Sequence, residues 1–439
     1  MERRHRSRSA GTVLVVLASI CAAGYASPPA IQVRDGAFVD AEGRHVILRG
    51  VNMGEKSAKS IGNETPEDFE KLHRWGMNCL RFLMVWDGVE PSPGVYDDAY
   101  LDMIAERTAW AHDAGLWVIL DMHQDLFGPA IPGGDGAPAW ATITDGQPHG
   151  SVPGAWASAY TCSRKLQHAF DHFYNNSPGP DGIGLRDHFA AAWRHVAERF
   201  QDDPAVIGYD LLNEPAMGER IRSVAVDVWR AIPGLVGPVV KPGGLNALTG
   251  TLQNGVPPEW LLEALDNRAR YEQLLDVFVP HLHAFEETQL APLQQCAGTA
   301  IREVDSQRIL FVVSGGLANI GVPVHLPLIR RTDGSPDPQQ AYYPHVYDLV
   351  TDTPLADRAS GSRLAVMFDR IEAFAAANRL PVAIGEWGAY YGSEKARPTA
   401  RRVVRELEDH GYGDFYWSYH GRLEKASYFE MLCRPYPMA

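Results

Sequence analysis

The sequence predicts a (β/α)₈ barrel. Eight short apolar runs rich in β-branched residues alternate with helical patterns, and most of those runs end in a polar or aromatic residue. Strands that alternate with helices form parallel sheets, and near-continuous apolar strands are buried on both faces. Eight such units close more readily into a barrel than spread into an open sheet. No GxGxxG follows the first run, so the dinucleotide-binding alternative lacks its phosphate loop.

In chain order, residues 31–50 alternate and turn at Asp35-Gly36 and Glu42-Gly43, the pattern of a small hairpin leading into the first strand. Predicted strands cover 46–52, 78–84, 117–121, 206–212, 308–314, 341–345, 382–386 and 415–419. Predicted helices cover 66–75, 100–114, 185–200, 259–276, 290–304, 364–377 and 399–410. Two connections are unusually long, 124–184 and 213–307. Both leave the C-terminal end of a strand, where a barrel builds its active site.

Composition narrows the function. The chain has 439 residues, 45% of them apolar and 21% charged, enough to bury a large core. Its net charge of −14, with no basic stripe after residue 10, argues against a nucleic-acid partner. The first 26 residues read as a cleaved secretory signal. Arg3, Arg4, Arg6 and Arg8 precede an apolar run from Gly11 to Ala23, and small residues follow at Gly24 and Ala26. A membrane anchor competes with this reading, but the run is short for a bilayer; lipidation at Cys21 would follow bulky Ile20. The rest of the chain, 27–439, is expected to be one catalytic domain, secreted or periplasmic. Export would permit oxidation of Cys79, Cys162, Cys296 and Cys433, although Cys79 sits in an apolar strand as a buried thiol would.

The chemistry lies at the strand ends. Strand two carries Arg81, and strand three ends in Asp121-Met122-His123-Gln124-Asp125. Strand four ends in Asn213-Glu214-Pro215, strand six in His345-Val346-Tyr347, strand seven in Glu386-Trp387-Gly388, and strand eight carries Trp417. A barrel brings these positions to one rim, and an apolar strand rarely ends in an unpaired carboxylate, because burying one is costly. Two facing carboxylates suit glycoside hydrolysis: one donates a proton to the leaving oxygen and the other attacks the anomeric carbon. Asn213 can hold the sugar 2-hydroxyl, Arg81 can stabilise an anionic nucleophile, and Tyr347 can orient Glu386. His123 and His345 can bind hydroxyls or relay protons, and Trp417 can floor a sugar ring. Taken singly, His345 and Trp417 also fit a satisfied core.

With those residues in view, the segments LLNEP, DMHQD, YYPHVY, IGEWG and WSYH resemble glycoside hydrolase family 5. More narrowly, the chain resembles its endoglycoceramidase branch, through LRGVN at 48–52, LRFLMVWDGVEPSPGVYD at 80–97, ILDMHQDLFG at 119–128, DGAPAWAT at 135–142, GYDLLNEP at 208–215 and RPYP at 434–437. The resemblance implies a retaining enzyme that cleaves the β-bond between glycan and ceramide, with Glu214 as acid/base and Glu386 as nucleophile. It implies neither metal nor cofactor. It places Lys56, Asp125 and Asn213 against the first sugar, and Trp156, by a looser match, as a stacking residue. The expected partner is a glycolipid or oligosaccharide met by a monomer, with transient contact at a membrane or micelle surface.

The chain departs from the branch in three places. Relatives continue into a β-sandwich after the RPYP turn, whereas this sequence stops at Ala439; no such sandwich is expected here. His420 stands where an acidic residue is common, and the segment following the first strand, GVNMGEKSAKS, is less apolar than in the family. A ceramide site needs an apolar cleft and rim. The apolar, Pro/Gly-rich segments 231–250 and 321–329 are the expected lipid-lining loops, with ordinary packing as the alternative. Competing functions are a family-5 glycosidase acting on another amphiphilic glycoside or a β-glucan oligosaccharide, and a non-catalytic glycan-binding barrel.

Overall fold

The structure is a computed structural model and describes residues 29–153, 155–236, 258–351, 353 and 355–434. The expected signal segment, 1–26, lies outside the described residues. The chain opens on a hairpin, β1 (Gln32–Arg34) and β2 (Ala37–Val39). Its two turn residues, Asp35 and Gly36, have φ of 51° and 78°, the left-handed pair that a tight hairpin needs.

The barrel strands follow: β3 (Arg49–Met53), β4 (Cys79–Val85), β5 (Trp117–His123), β6 (Val206–Asp210), β7 (Ile309–Val312), β8 (Gln340–Tyr342), β9 (His345–Val346), β10 (Ala383–Gly388) and β11 (Gly413–Trp417). Their pairing is parallel throughout, in the order β8-β7-β6-β5-β4-β3-β11-β10-β9. The two ends of this ladder, β8 and β9, are halves of one predicted strand, parted at Tyr343-Pro344 because proline has no N–H to continue a ladder. Tyr342 N donates to Pro381 O (3.0 Å) and Gly385 N donates to Pro344 O (2.8 Å), so the sheet closes on itself with eight strands.

The hairpin plugs the floor of the barrel. Ile31 and Phe38 are buried with Leu48, Trp117, Ile119, Ile207, Phe311 and Phe415, and Trp117 Nε1 donates to Pro29 O at 2.8 Å. The larger core lies between strands and helices. Helix Leu185–Phe200 buries Leu185, Phe189, Trp193, Val196 and Phe200, a stripe at helical spacing. The predicted helix 259–276 is instead two, Glu259–Leu265 and Arg268–Phe285. The break falls at Asn267, whose side chain accepts from Arg270 N (3.1 Å) and caps the second helix.

One further expectation is revised. Gly321–Ile329 does not rim a lipid path: Val322, Leu326 and Ile329 are buried in the main core, where apolar side chains of a long connection gain most by leaving water. Within 231–250, residues 231–236 complete the helix Ile221–Val236, and the remainder lies outside the described residues. Cys79, Cys162, Cys296 and Cys433 are all free thiols, with Cys79 buried in its strand. Among the described residues, no helix is long and apolar enough to cross a membrane.

Candidate active site

The C-terminal mouth of the barrel is organised around Arg81, which points inward from β4 and is fully buried. Its Nε donates to Asp210 Oδ2 (2.8 Å). Nη1 donates to Asn52 Oδ1 (2.8 Å) and Glu386 Oε1 (2.6 Å). Nη2 donates to Asn213 Oδ1 (2.8 Å) and pairs with Asp121 at 2.9 Å. Strand register explains this convergence. Arg81 sits beside Asn52 across β3–β4, and Asp121 beside Asp210 across β5–β6. Two adjacent carboxylates in a barrel core require a cation, and a guanidinium has enough donors to reach both and continue to Glu386. Burial pushes the Asp210 carboxyl up in spite of Arg81 beside it.

Glu386 and Glu214 face each other across His345. Glu386, nearly buried, accepts from Arg81 and, at its other oxygen, from the Tyr347 hydroxyl (2.9 Å). Glu214 is partly buried and accepts from Asn319 Nδ2 (2.7 Å). It stands just beyond β6 with φ of 40°, a left-handed conformation rare outside glycine and often found where a site demands a particular aim. Gln124 Nε2 holds that turn by donating to the carbonyls of Asn213 (2.8 Å) and Glu214 (3.1 Å). His345 pairs in register with Glu386, and its Nδ1 lies 2.9 Å from Glu214 Oε1 and 3.6 Å from Glu386 Oε2. Acidic oxygens of the two glutamates and the imidazole nitrogen all lie within 4.8 Å of one another. Burial works against a His345 cation, but the two glutamates outweigh it and raise the ring's affinity for a proton.

A polar wall flanks the pair. His123 Nδ1 lies 2.8 Å from Asp121 Oδ2, its ring stacks on Trp417 at 5.3 Å, and its Nε2 lies 3.7 Å from Asp125 Oδ2. Burial opposes the His123 cation, yet Asp121 overrides it and lifts the ring to about 9. Lys56 reaches Asp125 in a salt bridge and lies 4.5 Å above the Trp417 ring. Asp125 N donates to Asp135 Oδ1 (3.0 Å). Despite burial, contacts from His123 and Lys56 hold the Asp125 carboxyl down at about 2, whereas burial beside that charge pushes Asp135 up to about 6.

The structure therefore brings together Glu214, Glu386, Arg81, Asn213, His345, Tyr347, His123, Trp417, Lys56 and Asp125. Trp156 stands further out, 44% exposed, on a cleft of about 460 Å³ shared with Tyr390, Tyr391 and Lys395 beyond β10. Arg81, expected to stabilise an anionic nucleophile, does hold Glu386, but it is sealed beneath the site and does not belong with the residues that face substrate. Asn213 gives its oxygen to Arg81 and one amide hydrogen to Gln124 O (3.1 Å), which leaves one hydrogen for a ligand. Sequence reasoning missed Asn52, Asp135, Asp210 and Asn319. Asp210 carried a signal, a carboxylate inside an otherwise apolar strand; Asn319 lies in a short 3-10 helix without a motif. Two groups here have the spacing to hold a cation, Glu214/His345/Glu386 and His123/Asp125/Asp135. Arg81 already serves the first and Lys56 the second.

A closed eight-stranded barrel with two glutamates across its C-terminal mouth, backed by a buried arginine and a tyrosine, has the architecture of a glycoside hydrolase. The profile of the cellulase family (glycosyl hydrolase family 5) matches residues 39–422, and the chain belongs to that family. Within it, the similarity runs to endoglycoceramidases. The chain is 34% identical over 189 residues to endoglycoceramidase I of Rhodococcus hoagii, which covers 42% of this chain and 37% of the relative. It is 29% identical over 210 residues to endoglycoceramidase of Hydra vulgaris, 41% of this chain and 39% of the relative. The match thus spans about two fifths of the length of these curated relatives. The ganglioside GM3 complex of endo-glycoceramidase II from Rhodococcus sp. superposes with a TM-score of 0.65 at 30% identity, over 87% of this chain and 75% of that one.

Asp135 provides a pH test. Its carboxyl rises from an ordinary 3.8 to about 6 on folding, so the folded state favours the protonated form. Stability is then complete below about 4 and falls as pH rises through 6. D135N removes the penalty and should exceed the wild type by up to about 3 kcal/mol at pH 7.5, with the gain vanishing toward pH 4. Urea unfolding at both pH values measures it; a gain independent of pH would contradict the assignment.

Proposed function

We propose that the chain is a retaining endo-β-glycosidase that releases intact glycans from glycosphingolipids, with Glu214 as acid/base and Glu386 as nucleophile. The observation that carries this reading is the close approach of the two carboxylates, with one oxygen of each lying within 4.8 Å of the other beside His345. Retaining glycosidases keep their carboxyls about 5–5.5 Å apart, whereas inverting ones leave room for a water between them.

The surroundings divide the roles. Glu386 accepts from Arg81 and Tyr347, an arrangement that holds a carboxylate oxygen for attack on the anomeric carbon. Glu214, less buried than Glu386, can reach the leaving oxygen and later a water. In the first step, Glu386 forms a bond to the anomeric carbon while Glu214 gives its proton to the glycosidic oxygen, and ceramide departs as an alcohol. In the second, Glu214 takes a proton from water, whose oxygen displaces Glu386 and restores the configuration. Lys56, Asp125, His123 and Asn213 offer hydrogen bonds to the sugar, with Trp417 as its floor and Trp156 as an outer stacking surface. Ceramide as aglycone is supported by the similarity to endoglycoceramidases. The reading includes export, which rests on the arginine-led apolar segment at 1–26.

A lipid substrate also calls for contact with a micelle or membrane. On the helix Ile221–Val236, which follows Glu214, Val226 and Trp229 lie three residues apart on one face and are 48% and 53% exposed. Exposed apolar pairs of this kind suit transient contact with a lipid surface.

Product analysis with a ganglioside, lactosylceramide, glucosylceramide and cellopentaose, in detergent, tests the proposal. Intact oligosaccharide with free ceramide is expected; cleavage of cellopentaose alone would move the function to a polysaccharide-type glycosidase. E386Q should lower turnover by roughly a thousandfold or more. E214A should spare the first step for aryl glycosides whose leaving group needs no proton, and azide should then restore turnover. W229S should reduce hydrolysis of lipids in micelles several-fold while leaving soluble aryl glycosides unaffected; equal loss on both would refute the lipid-facing role.

A further inference from the structure

Outside the barrel mouth, two histidines converge on one carboxylate oxygen. His168 and His172 lie four residues apart on the helix Arg164–Tyr174, so both rings leave the same face. His168 Nδ1 and His172 Nε2 each lie 2.8 Å from Asp145 Oδ2. One ligand atom from each of the three residues lies within 4.8 Å of the other two. Behind the rings, His172 Nδ1 lies within hydrogen-bond distance of Ser177 Oγ (2.8 Å), and His168 Nε2 lies near Glu219 Oε1 (3.3 Å) without a formed hydrogen bond.

Two imidazoles and one carboxylate supply three of the four positions of a tetrahedral site for a borderline-soft dication, with the fourth left to water. Calcium and magnesium prefer oxygen ligands throughout, so the two nitrogens select against them. Ser177 stands where an outer partner of a metal-bound histidine stands, behind the His172 ring and fixing its orientation, and Glu219 lies near the far nitrogen of His168. Asp145 is exposed and both histidines are partly so, which leaves the convergence point open to solvent. A net charge of −14 raises the local concentration of cations. None of these residues enters the hydrolytic reading above.

We propose that Asp145, His168 and His172 bind a transition-metal dication of the zinc class. The ion clamps the long connection after β5 onto its own helix. That connection leads from Asp145 to Trp156 and Tyr160, and the Tyr160 hydroxyl accepts from Leu126 N (3.1 Å) just beyond the sugar wall. A clamp at Asp145 would steady that side of the cleft without touching the reacting atoms.

The full chain, freed of metal by dialysis against chelator, is titrated with zinc chloride and followed by calorimetry and thermal unfolding. One zinc per chain is expected, with a melting point raised by about 3–6 °C at a hundredfold excess over Kd. Calcium and magnesium should leave the melting point unchanged. X-ray absorption should show only nitrogen and oxygen neighbours, near about 2.0–2.2 Å. H168A/H172A should abolish the stoichiometric site, S177A should weaken it about tenfold, and E386Q should retain it, which separates this site from the carboxylates of the barrel mouth. Absence of zinc binding, binding that survives H168A/H172A, or an equal response to calcium would overturn the proposal. If the double variant does not fold, unchanged zinc affinity in S177A would overturn it instead.

Discussion

Everything at the mouth of this barrel depends on one buried guanidinium. Arg81 offers five N–H donors in a rigid plane, and all three of its nitrogens are committed to Asp210, Asn52, Glu386, Asn213 and Asp121. A lysine could supply the charge but not the span, because an ammonium is a compact point donor. Asp121 and Asp210 lie side by side across β5 and β6, fully buried. Without the arginine, two like charges would face each other in a medium that screens them poorly. The same cation reaches Glu386, so the packing of the barrel interior and the aim of the reactive carboxylate share a single group.

Charge is distributed outward from that centre in alternation. Asp121 lies between Arg81 and His123; His123 and Lys56 in turn face Asp125, and Asp135 lies behind. Burial pushes Asp210 and Asp135 toward their neutral forms, although Arg81 bonds the first and the Asp125 N–H the second. Parallel register sets this order. Neighbouring strands present inward residues at one height, and in this way Glu386 meets His345, and Arg81 meets Asn52. The sugar-facing wall is thus an extension of the buried network, stiffened by the groups that stabilise the barrel.

The parts of the site that could be read from the chain were those written in local sequence. Glu214 and Glu386 announce themselves because a carboxylate closing an apolar strand needs a reason, and their flanking residues repeat a family pattern. Asp210 was open to the same argument and was passed over because it lies within its strand rather than at its end. Asn319 was not legible at all. It reaches Glu214 from the short 3-10 helix Gly316–Ile320, more than one hundred residues away, and nothing in its neighbourhood marks it. The lipid-lining reading of Gly321–Ile329 failed for a related reason: an apolar, glycine-rich segment has one composition whether it rims a cleft or fills a core, and only its packing partners decide.

The sequence by itself determined the number and order of strands, the parallel barrel, and the identity of the two facing glutamates, because these follow from periodicity and from the cost of burying charge along a single chain. Tertiary structure alone decided that Arg81 lies sealed beneath the site, shared among Asp121, Asp210 and Glu386, and that one strand breaks at Tyr343-Pro344 yet still closes the sheet. It also decided that His345 bridges the carboxylates, and that His168, His172 and Asp145 share one point in space. These facts depend on register and on distances between residues far apart in the chain. A linear sequence specifies such quantities only through the complete fold.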